Sequence, residues 1–369
     1  MIPDKPMPVL KVYMPGSAAK AVADVLYSGF VTTGTKTDEF EEIFGKAIGN
    51  PNVVATNCGS AAIIMALHMA SIGQGDEVIC MPLTCVAAIE PVFQTGATIV
   101  WADIDPWNGN ISAKSIEGKI SKKTKAIVYS HCLGRLSDIG AINSVARRHG
   151  LVTIEDAASA FGGEYDGRMV GTHSDFTAFS FQAVKHITTG DGGILAVKTN
   201  EERQRAYLLR NHGNDRHSKR SPLTLGFDVF EAGWKFQMND VAATIGLVQL
   251  IDFAANRDIH RRNNDIYMRR LRNVPGLMVL DEYPKARSNP WVFTVLVENR
   301  EGFVKKLQEN KIGCSIIHMR VDKFTLFKPF QDDLPHLEGY YNSMMNIPVG
   351  WWMSEEMVSF VCDVITSGW

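Results

Sequence analysis

Between about residue 50 and residue 200, short uninterrupted apolar runs alternate with amphipathic stretches, and this alternation limits what the chain can fold into. "VVAT" precedes "CGSAAIIMALHMA", "DEVICMP" precedes "CVAAIEPVFQTG", and "ATIVWADID" follows directly. "TKAIVYSH", "LVTIEDAA", "FTAFSF" and "GGILAVKT" continue the series. Apolar runs without a polar alternate suit strands covered on both faces. Strands recurring between helical stretches predict an α/β fold, a large and mostly parallel sheet layered with helices.

Beyond this region the pattern changes. The stretch from Asn239 to Val274 reads as one long helix, stopped by Pro275–Gly276. "WVFTVLVE", a helical "EGFVKKLQENKIG", "CSIIHM" and a helical "SEEMVSFVCDVI" then predict a smaller α+β unit. The expected division is an amino-terminal arm and large domain over residues 1–250, and a small domain over 251–369, with the boundary inside the long helix.

The chain has 369 residues, 45% of them hydrophobic, enough for a sizeable core. With 38 basic and 40 acidic residues it has no bulk charge to draw it to nucleic acid or a membrane. No apolar run reaches membrane-spanning length, and the amino terminus carries no charged-then-apolar leader. Six scattered cysteines without close ligand pairs suggest reduced thiols in a cytoplasm, with no metal or iron–sulfur centre.

In open α/β sheets, ligands bind beyond the carboxyl ends of the strands, and three polar features fall at such ends. Asn57-Cys58-Gly59-Ser60 opens a helix after "VVAT". Its backbone N–H groups, at a helix end carrying about half a unit of positive charge, suit a phosphate; N-capping by Ser60 is the simpler alternative. Glu155 and Asp156 follow the apolar "LVTI". Asp156 there is either a surface acid or a buried carboxylate paired with a cationic ring nitrogen. About thirty residues later, "SFQAVKHITTGDGG" (residues 180–193) sets Lys185 before a glycine-dense turn. A phosphate-binding helix end, an acid and a lysine in this order are the parts needed to hold pyridoxal phosphate.

At this point the sequence resembles the DegT/DnrJ/EryC1/StrS family of sugar aminotransferases, which have the aspartate-aminotransferase type fold (fold type I). "SGFVTTGTKTDEFEEIFGKAIG", "NCGSAAIIMAL", "ADIDPWNGNI", "LLRNHG" and "GWKFQMNDVAATIGLVQL" are each similar to family segments. The most diagnostic block is "IEDAASAFGGEYDGRMVGTHSDFTAFSFQAVKHITTGDGG".

The resemblance implies that Lys185 bonds to the cofactor and that Asp156 faces its pyridine nitrogen. It implies that Ser180 and the amides of Gly59 and Ser60 bind the phosphate. Ser159 stands where many members place a glutamine or histidine against the cofactor. Lys235 stands where many have an asparagine reaching a neighbouring subunit's phosphate, which implies a homodimer with shared sites. Cys85 replaces the usual aromatic stacked on the ring, and a thiol offers less surface. His186 follows the lysine where asparagine is commoner, and no role is assigned to it. Thr33, His318 and Arg320 fall on the side expected for substrate.

The activity so implied moves an amino group from glutamate to a keto-sugar, first of all a nucleotide-linked 4-keto-6-deoxysugar for a surface polysaccharide. A free keto-sugar or keto-inositol is the alternative. The basic stretch 210–220 suits a diphosphate or is merely solvated, and Trp351 and Trp352 suit either a stacking surface or core packing. A dehydratase branch replaces the lysine with histidine, which Lys185 argues against; another carries an iron–sulfur site, which the scattered cysteines disfavour. A cofactor-sensing regulator would need a DNA-binding module, and roughly 50 residues before the phosphate turn leave little room for one.

Overall fold

The computed structural model describes residues 5–215 and 228–369. Five strands, β1 (Val53–Thr56), β2 (Glu77–Cys80), β3 (Thr98–Trp101), β4 (Thr124–Ser130) and β5 (Val152–Asp156), lead to a short hairpin, β6 (Glu164–Tyr165) and β7 (Arg168–Met169). Then come β8 (Phe176–Ser180) and β9 (Gly193–Val197). Seven of these form one sheet in the order β1-β9-β8-β5-β4-β2-β3. Its pairings are parallel except the two made by β9, which runs against both neighbours.

Continuous apolar strands follow from burial on both faces. Every residue of β1 and β9 is buried. Of the helices α1 (Ala18–Tyr27), α2 (Thr35–Ile48), α3 (Gly59–Met69), α4 (Val86–Gln94), α5 (Ala113–Lys119), α6 (Ile139–His149) and α7 (Asn200–Leu209), α3 packs on β8 and β9 and α2 on β1. Phe40 and Phe44 of α2 set their rings edge-on against Phe181 and Phe179, 5.3 and 5.1 Å away. Glu41, 2% exposed, ties three elements together. It accepts from the Ala55 amide at 2.7 Å, from Arg210 at 2.5 Å and from the Tyr207 hydroxyl.

The long helix α8 (Asp240–Leu271) starts where expected, with Asn239 as N-cap accepting from the Ala242 amide at 2.8 Å. Its first half, with Ala243 and Phe253, packs in the main core, and its last turns, with Ile266, Tyr267 and Leu271, pack in a second one. That second core contains β10 (Leu277–Val279), β12 (Phe293–Val297) and β13 (Met344–Ile347), an antiparallel sheet, while β11 (Ala286–Arg287) pairs with β6 instead. "CSIIHM" forms no regular strand and pairs through one bridge, Ser315 to Asn346. α9 (Arg300–Glu309), α10 (Pro335–Ser343) and α11 (Glu355–Thr366) complete the chain.

Packing does not divide at one sequence position. Met7, in the amino-terminal arm, is buried in the second core and exchanges hydrogen bonds with Lys311 and Gly313. Trp291 and residues from Val321 to Met344 contribute to the main core. All six cysteines are free. Among the described residues no helix is long and apolar enough to cross a membrane.

Candidate active site

The carboxyl ends of the strands bring the three sequence features together. α3 begins at Gly59 immediately after the turn that follows β1, and its N-cap, Cys58, makes no side-chain cap. The Ser60 hydroxyl donates to the Ala87 carbonyl at 3.2 Å, so it does not cap the helix. The first-turn N–H groups of α3 therefore have no side-chain cap of the ordinary kind. Glycine is required here by close approach: a Cβ at Gly59 would lie 2.9 Å from the Ser180 Cβ, and one at Gly193 would lie 2.6 Å from the Cys58 carbonyl. Ser180, at the end of β8, is thus pressed against the start of α3.

Asp156 ends β5 and is 7% exposed. One carboxyl oxygen accepts from the Ser130 hydroxyl and the other from the Ala158 amide, both at 3.0 Å. Ser130 is braced in turn by Thr84 at 2.6 Å. Glu155, one residue earlier, points to the opposite face, as strand periodicity requires. There it is fully buried against His131 at 2.7 Å and Thr177 at 2.9 Å. Burial pushes the Glu155 carboxyl up, but the His131 hydrogen bond and charge, with Thr177, bring it below its ordinary value. The two neighbouring acids do different work: Glu155 braces the core, and Asp156 faces the site.

Lys185 lies in the loop between β8 and β9, its amide bonded to the Gln182 carbonyl at 2.9 Å. Its Nζ sits 4.0 Å from the centre of the Trp291 ring. Burial lowers the pKa of this amine, and the charges of Asp156 and Cys85 partly restore it. His318 is brought to the same place, its ring 5.9 Å from that of Trp291. Burial, then the nearby Lys185 charge, push the His318 pKa down to about 3. His186 packs 5.3 Å from His260 in α8, and burial, His260 and Lys185 hold it far below the ordinary imidazole value. Cys85, exposed, is the N-cap residue of α4 and lies within electrostatic reach of Lys185.

Other candidates sit differently. Ser159 is buried near Asp156, with its hydroxyl donated to the His131 carbonyl at 3.0 Å. Lys235 is exposed and its amine donates to Gln237, while its carbonyl lies beside Asn57 of the same chain. Thr33 donates to the Met238 carbonyl at 2.6 Å, in the wall of a 740 Å³ cavity between α1, α2 and α8. Arg320 is not free to meet a substrate. It is 5% exposed and its guanidinium is committed to Asp322, at 3.2 and 2.7 Å, and to Glu338.

Trp351 and Trp352 donate to the carbonyls of Lys11 and Pro8, so they clasp the amino-terminal arm rather than offer a bare stacking face. Of the basic stretch, Arg210 is buried against Glu41 and residues 216–220 lie outside the described part. Trp291, Ser130 and Thr84 were not singled out from sequence. A tryptophan after proline at the head of a strand was the available signal for the first.

These residues fit pyridoxal phosphate. Asp156 is a buried acid hydrogen-bonded only by neutral donors, which leaves it suited to a cationic ring nitrogen. The α3 start offers amides and a glycine cradle to an anion, and Lys185 supplies the amine.

The depressed His318 pKa gives a pH expectation. The unfolded chain protonates this imidazole below about 6.5, the folded chain only near 3, so the group withdraws stability as pH falls between those values. Its ring NMR signals, assigned through their loss in His318→Asn, should stay unshifted from about pH 8 to about pH 5. A titration midpoint near the ordinary histidine value would contradict the buried, lysine-facing placement.

The model of the DegT/DnrJ/EryC1/StrS aminotransferase family matches residues 14–366. The spore coat polysaccharide biosynthesis protein SpsC of Bacillus subtilis (strain 168) is 32% identical over 361 residues, 93% of this chain and 92% of that protein. The crystal structure of AtS13 from Actinomadura melliaura superimposes with a TM-score of 0.95 at 34% identity, covering 99% of this chain and all of the other. The sugar aminotransferase CalS13 from Micromonospora echinospora gives 0.94 at 32%, covering 100% of both chains. The chain therefore belongs to the DegT/DnrJ/EryC1/StrS aminotransferase family and is a pyridoxal-phosphate-dependent aminotransferase of fold type I.

Proposed function

We propose that this enzyme transfers an amino group from glutamate to a nucleotide-linked keto-sugar, a 4-keto-6-deoxysugar first of all, to make an amino sugar for a surface polysaccharide. The observation that carries the reading is the convergence of Lys185, buried Asp156 and the uncapped start of α3. The sugar side is supported by relatives: CalS13 is described as a sugar aminotransferase and SpsC as a polysaccharide biosynthesis protein. A free keto-sugar or keto-inositol remains the second substrate class.

When bound, pyridoxal phosphate supplies an electron sink that stabilises negative charge at the carbon next to the transferred nitrogen. The protein's residues divide the remaining work. The N–H groups of Gly59 and Ser60, with the Ser180 hydroxyl, would hold the phosphate at the positive end of α3. Asp156, oriented by Ser130 and the Ala158 amide, would keep a proton on the ring nitrogen. Lys185 Nζ would take the proton from Cα of the amino donor and deliver it to the C4′ carbon of the cofactor, and would run the same transfer in reverse in the opposite half-reaction. Its environment favours this. Burial lowers the amine's pKa toward the range in which it can act as a base. Ser159 donates to the His131 carbonyl, and Cys85, exposed at the start of α4, lies within electrostatic reach of Lys185.

Glutamate alone should convert the cofactor to its amine form, read as loss of the visible absorbance band, because the first half-reaction needs no sugar. A panel of nucleotide-linked keto-sugars should then yield an amino sugar by mass spectrometry. Unchanged absorbance with glutamate and glutamine, together with loss of water from a keto-sugar, would establish the dehydratase instead.

The assembly proposed is a homodimer with shared sites. Phe30 and Ile251, which line the same cavity as Thr33, and Leu26 and Tyr27 of α1 are exposed apolar side chains, a face suited to a second copy. Lys235 would then reach the partner's phosphate. In that arrangement Lys185→Ala and Lys235→Ala subunits, mixed under demonstrated exchange, form one intact and one doubly damaged site per mixed dimer. Roughly a quarter of wild-type activity should return above the Lys235→Ala background. No recovery, with subunit exchange confirmed and the Lys235→Ala parent clearly defective, would overturn the shared site.

A further inference from the structure

Trp291 is built into the lysine loop from outside it. It precedes β12, far along the chain, yet its indole N–H donates to the carbonyl of Val184, the residue before Lys185, at 2.8 Å. Its own amide donates to the Leu133 carbonyl at 3.1 Å. That contact depends on Gly134, whose φ is +90° and where a Cβ would lie 2.4 Å from the Trp291 nitrogen. The side chain is therefore pinned at both ends, and it is 4% exposed.

The face of the fixed indole meets the Lys185 Nζ 4.0 Å from the ring centre. Other groups face the same amine. Asp156, at the end of β5, and Cys85, at the start of α4, act on it through space and favour its charge. His318, from the segment before Arg320, and His186, in the same loop, are both held neutral and add no opposing charge at neutral pH. The Asp156 oxygens are engaged by Ser130 and Ala158, and among the described residues no carboxylate is hydrogen-bonded to the amine. The aromatic face, with its centre 4.0 Å away, is a favourable partner for the cation.

We propose that Trp291 is a positioning residue whose indole face holds the Lys185 ammonium in the cofactor-free protein. In that state the lysine is parked, charged, against a rigid surface rather than swinging into solvent. The inference rests on the assignment of Lys185 as the cofactor-bonding residue.

The test reads the lysine directly in cofactor-free protein. Competitive acetylation with limiting acetic anhydride across a pH series, followed by peptide mass spectrometry, gives the protonation midpoint of Lys185. Trp291→Leu should lower that midpoint by about one pH unit. Trp291→Phe keeps an aromatic face but loses the bond to Val184, and should stay nearer the wild type. An unchanged midpoint in Trp291→Leu would overturn the proposal, as would a Trp291→Phe midpoint as low as that of Trp291→Leu. Should Trp291→Leu fail to fold, a fluorinated tryptophan placed at position 291 retains the shape but drains the ring face, and must lower the midpoint; no shift overturns the proposal. If borohydride fixes the cofactor on another lysine, the functional reading fails independently of this titration.

Discussion

A carboxylate taken out of water demands compensation, and the site is organised around one. Asp156 is almost wholly buried, yet its two hydrogen-bond donors, Ser130 and the Ala158 amide, are neutral. Neutral donors orient an acid without cancelling its charge, so the site retains a local demand for a cation. Lys185 meets part of that demand through space. A protonated pyridine ring set against Asp156 would meet the rest. Chemistry that requires a protonated ring nitrogen is thus matched to a charge the fold already buries.

The sheet makes this burial possible. β4 and β5 run side by side and in the same direction, so Ser130 and Asp156 arrive opposite each other at their carboxyl ends. β8 joins the other edge of β5 and delivers Ser180 to the start of α3. β9 alone runs backwards, so the loop of residues 181–192, which carries Lys185, leaves and rejoins the sheet at the same end. Segments from late in the chain then close the site, through Trp291, which packs in the main core, and His318. Neither residue belongs to the doubly covered strands that announce the fold.

This arrangement explains what could be read in advance. Apolar runs report sheet burial directly, so the mostly parallel sheet and the long α8 were legible, as was the ordered set of Gly59, Asp156 and Lys185. The capping alternative for Ser60 could be settled only by seeing its hydroxyl turn to Ala87. Contacts between distant segments left no local pattern. Arg320 is two residues from Asp322, a spacing too common to betray a buried ion pair, so it resembled a substrate residue. For Trp351 and Trp352 the sequence left a stacking surface and core packing open, because the arm they clasp is over 300 residues away. Trp291 escaped notice for the same reason: its partners, Val184 and Lys185, lie more than 100 residues earlier.

The account stands on Lys185 as the residue that takes the cofactor. Borohydride reduction of the cofactor-loaded protein, followed by proteolysis and mass mapping, should place a single covalent label on the peptide containing Lys185, and Lys185→Ala should take none. A label carried by a different lysine, or unchanged labelling of Lys185→Ala, would contradict it.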